Sequence, residues 1–361
     1  MFFCSMNLII DKLAGVEGWE TAASRIASDK GVAIILGAPD SGKTTFARFL
    51  VDWLTKKQLS VAMVDADMGQ STLGPPTTIG MSLFKSAPHW LEDVPCRSLH
   101  FVGSTSPEKH FISTIVGVKK MTEAALDYGA EITLVDTSGL VYGNAGRLLK
   151  SQKIDIIKPG HIVAIQESDE IEHLLLPYTK QNAIKIHRLM TSEDTKTKSK
   201  DQRRSYREIK FQEYFRKSMR HRFVLGNIGI LGSFLGSGRK LSANDLIFLS
   251  KTLDANAVHA EIGFEEVLII VKGGYSKEGI VKLKKHFLDR EIIINELDDF
   301  KFLITGLNDE KNNTLGIGII EEVDLPAGII TVITPLHDIE MVRILHFGSI
   351  KLDLSGREIH M

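Results

Sequence analysis

One short segment constrains this chain more than any other, because it fits the phosphate-binding pattern G-x-x-x-x-G-K-[ST] at every fixed position. The apolar run 32–36 precedes it and an amphipathic segment, 44–58, follows it, which predicts a buried strand, a turn and a helix. Glycines let backbone N–H groups curl around phosphate oxygens, and the following helix points its N-terminus at the anion. The expected nucleotide contacts are Gly37, Ala38, Pro39, Asp40, Ser41, Gly42, Lys43, Thr44 and Thr45. Lys43 is expected at the β- and γ-phosphates, and Thr44 is expected to hold Mg²⁺.

Strand and helix patterns alternate around this segment. Apolar runs at 61–64, 132–135 and 161–165 predict further strands, separated by stretches long enough for helices. The expected fold class is therefore α/β: a P-loop NTPase domain with a mostly parallel sheet flanked by helices on both faces. The apolar start, residues 1–10, lacks a basic flank and predicts a first strand or packed arm, not a signal peptide.

The sequence changes texture near residue 191 and again near 223. Glycine-rich turns after 223 lead into a helix with a cap at Ser242, and short strand patterns follow. These strands are predicted at 267–271, 291–295, 302–305, 315–320 and 329–334. We expect a P-loop domain over 1–222, with a basic lid at about 191–222, and a smaller β-rich domain over 223–361.

Composition excludes several classes of protein. The 361 residues carry 44 Lys or Arg and 45 Asp or Glu, so the chain is not basic overall, although a local nucleic-acid site needs only a patch. Cys4 and Cys96 are too few for a disulfide framework and are not spaced as a metal pair, which predicts a cytoplasmic protein. The sequence contains no apolar run of 18 residues, so no membrane span is expected.

Two polar segments follow predicted strands. The first is the run DADMGQ from Asp65 to Gln70, where a carboxylate would lie beside the phosphate-binding turn. Asp67 is expected to contact Mg²⁺ or accept a proton from an attacking hydroxyl, while a capping turn is the alternative. Spacing alone does not rank Asp65 against Asp67. The second segment, Asp136, Thr137, Ser138 and Gly139, is similar to the D-x-x-G turn of GTPases and is expected to touch nucleotide or acceptor.

Three classes of phosphate chemistry fit this pattern: a switch GTPase, an ATPase or motor, and a kinase. A guanine-reading N-K-x-D is absent from the sequence, which weakens the GTPase. A kinase needs a mobile basic lid to neutralise transition-state charge. The segment 191–222 holds 11 Lys or Arg against 5 Asp or Glu, and its polar, flexible-looking part contains Lys198, Arg203, Arg204 and Arg207. A solvated helix face is the alternative interpretation of this segment.

Taken together, these segments resemble one family. The resemblance rests on five segments. They are the phosphate-binding turn, D-x-D-x-G-Q at 65–70 followed by Pro75 and Pro76, DTSGL at 136–140, Ile157-Lys158-Pro159 with His161, and the arginine-rich stretch that ends at Phe215. The run 315–321 with 347–350 is similar to the end of prokaryotic members. The family is the polynucleotide 5′-hydroxyl kinases, which include the RNA kinase subunit of the mRNA 3′-end cleavage machinery and the ribosomal-RNA-processing kinase.

The resemblance implies transfer of the γ-phosphoryl group of ATP, or another nucleoside triphosphate, to the 5′-hydroxyl end of RNA, with DNA as a second acceptor to test. It assigns Lys43 and Thr44 to the P-loop roles, Asp67 to activation of the 5′-hydroxyl, and Lys198, Arg203 and Arg207 to the lid. Gln70 and residues 136–139 are the expected substrate loop.

The sequence departs from the family at two positions. Lys198 stands where arginine is usual, and lysine lacks the planar fork of arginine. Leu140 occupies a place in the sequence near which eukaryotic members have a tryptophan that stacks on the acceptor base. The large N-terminal β-rich domain of those members has no counterpart, so a compact prokaryote-type enzyme is expected. Two other functions stay open: a non-catalytic ATP-binding adaptor, and a GTPase of the metal-insertion or maturation type. The role of the second domain and the oligomeric state are not predicted.

Overall fold

The computed structural model describes residues 18–90, 94–191, 197–288 and 290–359. The strand or arm predicted at 1–10, Cys4, and residues 192–196 of the expected lid lie outside these described residues. The chain divides into two compact units between Lys210 and Phe211, twelve residues before the predicted domain boundary. Within the described ranges, no helix is both long enough and apolar enough to cross a membrane.

The first unit alternates strands and helices, as its sequence pattern predicts. Its elements are α1 (Trp19–Asp29), β1 (Gly31–Gly37), α2 (Lys43–Lys56), β2 (Val61–Ala66), β3 (Thr78–Phe84), β4 (Ser98–Phe101), α3 (Phe111–Asp127), β5 (Ile132–Thr137), α4 (Gly143–Ile157), β6 (His161–Gln166), the short α5 (Glu172–Leu175), β7 (Lys185–Met190) and α6 (Lys200–Phe215), which continues into the second unit.

The described strands of the first unit form one sheet in the order β4-β3-β2-β5-β1-β6-β7. The five strands from β2 to β7 are parallel, and β3 and β4 add antiparallel strands at one edge. Alternate residues of β1 point to opposite faces. Ala33 and Ile35 pack towards α1 and α2, while Ile34 and Leu36 pack towards α3 and α4. Both faces of the sheet are therefore covered, and the polar residues that end each strand gather at its carboxyl edge.

The second unit is rich in β-structure, as expected. Its elements are β8 (Met219–Val224), β9 (Gly229–Leu231), β10 (Arg239–Lys240), α7 (Ala243–Leu253), β11 (Asn256–Ile262), β12 (Glu266–Lys272), α8 (Lys277–His286), β13 (Glu291–Glu296), β14 (Leu303–Asn308), β15 (Thr314–Asp324), β16 (Ile329–Thr334), β17 (Ile344–Leu352) and β18 (Glu358–Ile359). Ser242 caps α7 with the predicted side-chain hydrogen bond. The sequence pattern did not predict α8, β11 or β17.

Two groups of strands build the second unit. One follows the order β18-β17-β14-β15-β16-β8 with antiparallel neighbours, and β9 pairs with β17 in parallel. The other follows β10-β11-β12-β13. Val267, Ile269 and Val271 of β12 pack with Leu249 and Leu283 of α7 and α8. The intervening residues of β12 face the core of the larger group, so this strand is buried on both sides.

The expected lid is more regular than its composition indicates. From Lys200 it forms α6, a helix of 16 residues, instead of a flexible segment. Ser199 and Gln202 form a capping box at its start: Ser199 N–H donates to Gln202 Oε1 over 2.9 Å, and Gln202 N–H donates to Ser199 Oγ over 3.2 Å. The helix is anchored at its other end by the buried rings of Phe211 and Phe215.

Candidate functional site

The predicted phosphate-binding turn connects β1 to α2. Gly37 has no room for a side chain, because a Cβ there would lie 2.3 Å from Ser41 Oγ and 2.6 Å from the carbonyl oxygen of Ile165. Gly42, which precedes α2, has a φ of +92°, a conformation that glycine adopts without strain. The turn is therefore held in a compact shape that only these glycines allow, with the N-terminus of α2 directed at its centre.

Lys43 is buried and folds back onto this turn. Its Nζ donates to the carbonyl oxygen of Ala38 over 2.6 Å and lies 3.5 Å from Ser41 Oγ. Burial lowers the pKa of Lys43, while the nearby carboxylates of Asp136 and Asp67 act to raise it. The amine is thus held at the turn by weak carbonyl contacts and by surrounding negative charge, so an incoming phosphate offers it a stronger partner.

Thr44 is bonded to a carboxylate at the end of β5. Its Oγ1 donates to Asp136 Oδ2 over 2.6 Å. Asp136 pairs in register with Ile35 of β1 and Asp65 of β2, so it lies at the centre of the sheet's carboxyl edge. Burial raises the pKa of Asp136, and the hydrogen bond from Thr44 opposes that change. Its other oxygen, Oδ1, is buried and accepts no hydrogen bond within the described residues.

Hydrogen bonds distinguish the two aspartates that spacing could not rank. Asp65 is buried, and its Oδ2 accepts from Thr72 N–H over 2.5 Å, Thr72 Oγ1 over 3.0 Å and Leu73 N–H over 3.1 Å. Its Oδ1 accepts from Asp67 N–H over 3.0 Å. Burial, joined by the nearby Asp136 carboxylate, raises the pKa of Asp65 to about 7. Asp65 therefore uses both oxygens to shape the loop that follows β2.

Asp67 is more open. Its Oδ1 accepts from the backbone N–H groups of Gly69 and Gln70, over 3.1 and 3.0 Å, which forms a tight turn. Its Oδ2 accepts no hydrogen bond in the part of the chain that the structure describes. The capping role and an open carboxylate oxygen thus coexist in one side chain, because the two oxygens have different surroundings.

The N-terminal half of α6 contacts the phosphate-binding turn within the first unit. Arg203 Nη2 forms an ion pair of 2.6 Å with Asp40 Oδ2, and that oxygen also accepts from Lys198 N–H over 2.9 Å. Arg203 Nε is buried and donates to no group in the described ranges. The guanidinium therefore lies at the turn with part of its hydrogen-bonding capacity unused.

Other residues of this helix complete the contact. Gln70 Nε2 donates to the carbonyl oxygen of Arg203 over 3.2 Å, and Tyr206 OH donates to that of Ser71 over 2.9 Å. Lys198 Nζ lies 5.6 Å from the centre of the Tyr206 ring, a cation–π distance. Arg207 follows Arg203 by four residues and so shares its side of the helix. The loop after β2 and α6 are thus tied together at several points.

Sequence analysis missed two lysines of α4, both fully buried. Lys150 Nζ donates to Thr137 Oγ1 over 2.8 Å and to the carbonyl oxygen of Ser138. Lys153 lies one turn further along, and its Nζ makes no hydrogen bond among the described residues. Burial lowers the pKa of Lys150 well below its usual range and that of Lys153 to about 8. Their spacing from Leu149, Ile154 and Ile157 on one helical face was the signal available in the sequence.

The predicted D-x-x-G turn also meets the phosphate-binding turn. A Cβ on Gly139 would lie 2.6 Å from both the N and Cα atoms of Pro39, so the two backbones touch. The structure thus brings residues 136–139, Asp67, Gln70, Lys198 and Arg203 to the same edge as residues 37–45, while Arg207 is related to this edge only by its spacing from Arg203 on α6. Leu140 and the exposed Tyr142 follow that turn.

The oxygen groups at this edge suit Mg²⁺. Thr44 Oγ1, the open Asp67 oxygen and the orphaned Asp136 Oδ1 are hard donors of the kind that this ion prefers. The described ranges contain no group of three or more His, Cys, Asp or Glu side chains that could hold a metal ion. Mg²⁺ usually combines one or two carboxylates with waters and substrate phosphates, and Asp67 and Asp136 are two such carboxylates.

The fold and this site define the chain as a P-loop nucleotide-binding protein of the α/β class. A family model described as the mRNA cleavage and polyadenylation factor CLP1 P-loop matches residues 37–217, half of the chain. The chain belongs to this CLP1 P-loop family, and the resemblance inferred from the sequence is confirmed.

Similar proteins span nearly the whole chain. A polyribonucleotide 5′-hydroxyl-kinase of Methanocaldococcus jannaschii is 32% identical over 329 residues, which are 90% of this chain and 88% of that protein. One from Pyrococcus furiosus is 30% identical over 346 residues, with coverage of 95% and 94%. The structure of Clp1p in its complex with Pcf11p is 12% identical, with a TM-score of 0.59 over 95% of this chain and 79% of that one. The last similarity concerns the fold, and it confirms the predicted fold class.

Proposed function

We propose that this protein is an ATP-dependent polynucleotide 5′-hydroxyl kinase that transfers the γ-phosphoryl group to the 5′ end of RNA. One observation carries the proposal: a phosphate-binding turn, a carboxylate with an open oxygen and an arginine whose buried Nε has no partner in the described residues meet at one sheet edge. The relatives that span this chain at about 30% identity are named for the same reaction, which supports the proposal.

The phosphate-binding turn holds the triphosphate. Backbone N–H groups of residues 37–45, except Pro39, surround its oxygens, and Lys43 exchanges its bond to Ala38 for the β- and γ-phosphates. Thr44 and Asp136 are the residues that would hold Mg²⁺ directly, and Asp67 would contact the ion through a water, which leaves Asp67 Oδ2 open to the acceptor. When bound, this ion supplies positive charge beside the phosphate oxygens. The protein thereby gathers fixed positive groups around the phosphoryl group before any bond changes.

Asp67 acts on the acceptor. Its Oδ2 takes the proton from the 5′-hydroxyl as that oxygen attacks the γ-phosphorus, while the bond from the γ-phosphorus to the bridging oxygen of the departing ADP breaks. Gln70 and residues 136–139 flank the acceptor. Asp65 takes no part in the transfer, because both of its oxygens are occupied by the loop that positions Asp67.

The lid residues stabilise charge on the transferring group. Arg203 leaves Asp40 for the phosphoryl oxygens, which are the stronger partner in the transition state. Lys198 and Arg207 add charge from the segment before Arg203 and from the next turn of the helix. Lys198 contributes a point charge and not a bidentate fork, so we assign it the smaller share. The cytoplasm is the proposed location of the protein.

A transfer assay tests this function. The protein would be mixed with Mg²⁺ and γ-labelled ATP, and with an RNA oligomer carrying either a 5′-hydroxyl or a 5′-phosphate; a DNA copy would measure acceptor preference. We expect label on the 5′-hydroxyl RNA alone. Folded protein that is stabilised by ATP but labels no 5′-hydroxyl strand would contradict the proposal in favour of an adaptor. Strict dependence on GTP would favour a maturation GTPase.

A further inference from the structure

Lys150 is buried beside the site, yet the proposed transfer gives it no role. A buried amine is costly unless its N–H groups find hydrogen-bond acceptors. Lys150 donates two of them to consecutive residues of the turn after β5, to Thr137 Oγ1 and to the carbonyl oxygen of Ser138. The Thr137 hydroxyl in turn donates its proton to the carbonyl oxygen of Ile35 in β1, over 2.8 Å. The turn is therefore fastened to α4 on one side and to the central strand on the other.

These bonds fix the direction of one peptide group. A trans peptide is planar, and its C=O and N–H point in opposite directions; no cis peptide occurs in the described chain. Because the carbonyl of Ser138 points at Lys150, the N–H of Gly139 points away from α4. This N–H donates no hydrogen bond within the described ranges. Gly139 also touches Pro39 of the phosphate-binding turn.

We propose that Lys150 is a positioning residue that aims the Gly139 N–H at the γ-phosphate, and so makes the site prefer nucleoside triphosphates to diphosphates. The inference rests on the proposed function in requiring ATP at the phosphate-binding turn, but it does not require RNA. Lys150 acts through the Ser138–Gly139 peptide and not by touching the nucleotide.

The chain offers a matched control. Lys153 is equally buried on the same face of α4, but it makes no hydrogen bond to the turn. Lys150→Met and Lys153→Met each remove one buried amine and leave a side chain of similar length that adapts to its surroundings. A difference between the two variants therefore reports the hydrogen bonds of Lys150 and not the loss of a nearby charge.

The experiment is calorimetric titration of the full-length protein, with Mg²⁺, against ADP and against an ATP analogue with an imido β–γ bridge. We expect Lys150→Met to weaken binding of the analogue about tenfold, as loss of one bond to a charged group does, and to leave ADP binding within about twofold. Lys153→Met should keep the preference of the wild-type protein. Because no RNA is present, failure of phosphate transfer and failure of this inference are separate results.

Three outcomes would overturn the inference. Equal weakening of ADP and the analogue would make Lys150 a general support of the site. Equal loss of preference in Lys153→Met would assign the effect to charge. If Lys150→Met does not fold, Thr137→Val provides the test, because it removes one acceptor of Lys150 without changing a charge. Thr137→Val should lower the preference for the analogue about threefold, which in free energy is about half of the effect expected for Lys150→Met. An unchanged preference would refute the proposal.

Discussion

The amino and carboxyl ends of the first unit's parallel strands both gather titratable side chains. At the amino ends, Lys185 Nζ donates to Asp29 Oδ2 over 2.5 Å, and His161 Nε2 lies 3.3 Å from the same oxygen. His161 Nδ1 is 2.9 Å from Nε2 of His187, with the two rings stacked. Each of these four residues has a partner from the chain itself.

At the carboxyl ends, some charged side chains have atoms without a hydrogen-bond partner in the described residues. Asp136 Oδ1 and Arg203 Nε are buried with no hydrogen-bond partner in the described residues. Lys43 is bonded to a backbone carbonyl and not to a carboxylate. Buried charged groups normally use their hydrogen-bonding atoms, so an acid and an arginine with unpaired atoms at the same edge point to a ligand.

The comparison teaches that clustering of charge does not by itself mark a site. Both edges carry acids and bases in close contact, and sequence motifs alone would not separate a structural pair from a functional one. What separates them is whether the protein completes its own hydrogen bonds. At the amino edge the four titratable groups named above have partners from the chain itself, while charged groups at the carboxyl edge leave acceptors and donors for a nucleotide, Mg²⁺ and a hydroxyl.

The largest expected difference between the two edges is in the rate of phosphoryl transfer after one lysine is removed from each. Lys43→Met should lower the rate of phosphoryl transfer by about 10³-fold or more, because it removes a cation from the transferring group. Lys185→Met breaks an exposed ion pair and should leave transfer within about twofold. The measurement is single-turnover transfer of label to 5′-hydroxyl RNA. Comparable losses in both variants would mean that the edges do not differ in function.

The next effect concerns arginines. Arg203→Ala should slow transfer by about 10²- to 10³-fold through lost charge stabilisation, with a small change in ATP affinity. Arg188 of β7 pairs with Glu172 of α5 and serves as the control, since Arg188→Ala should change the rate less than about twofold. Rates at saturating ATP and RNA decide the matter. A near-wild-type rate for Arg203→Ala would remove this residue from the lid.

Loss of the Asp65 carboxylate at the carboxyl edge should lower stability more than loss of the Asp29 carboxylate at the amino edge. Asp65→Asn replaces one acceptor oxygen by a donor amide against Thr72 and Leu73, and it should lower the free energy of unfolding by about 2–3 kcal/mol. Asp29→Asn, at the exposed end of the amino-edge pair, should cost less. Urea unfolding at pH 8 measures both. An equal or larger loss for Asp29→Asn would reverse the comparison of the two edges.

The smallest effect is a pH dependence from the amino edge. Burial lowers the pKa of His187 to about 4, whereas an unfolded histidine titrates near pH 6.5. Between these values the unfolded chain binds about one proton more than the folded chain, so the free energy of unfolding falls as the pH drops from about 6.5 towards 4. His187→Asn should flatten this slope in urea unfolding at pH 7, 6 and 5. The exposed His89→Gln should leave it unchanged, and a slope that His187→Asn does not alter would contradict the assignment.

Much of the first unit follows from local sequence patterns. The phosphate-binding turn and the strands around it were predicted because buried parallel strands are continuous apolar runs that end in glycine or aspartate. The antiparallel β3 and β4 were not predicted, since their pairing is not local. The boundary at Lys210 lies inside α6, where no change of composition marks it.

The site was predicted in its members more than in its arrangement. Spacing could not rank Asp65 against Asp67, because the difference lies in hydrogen bonds from residues 72 and 73. Lys150 and Lys153 were missed because lysine in a helix is usually exposed, although their helical face also carries buried leucine and isoleucine. The helical structure of the lid was not predicted, because its basic composition drew attention away from the capping box of Ser199 and Gln202 at the start of α6.

The most direct test of the account is Asp67→Asn, assayed for transfer and ATP binding on one sample. Asparagine keeps the acceptor that holds the Gly69 and Gln70 N–H groups, so the turn survives while the proton-accepting oxygen is lost. We expect transfer to 5′-hydroxyl RNA to fall by about 10³-fold or more, with the Kd for ATP within about threefold. Transfer within about tenfold of wild type, with ATP binding intact, would contradict the assignment of Asp67 as the base.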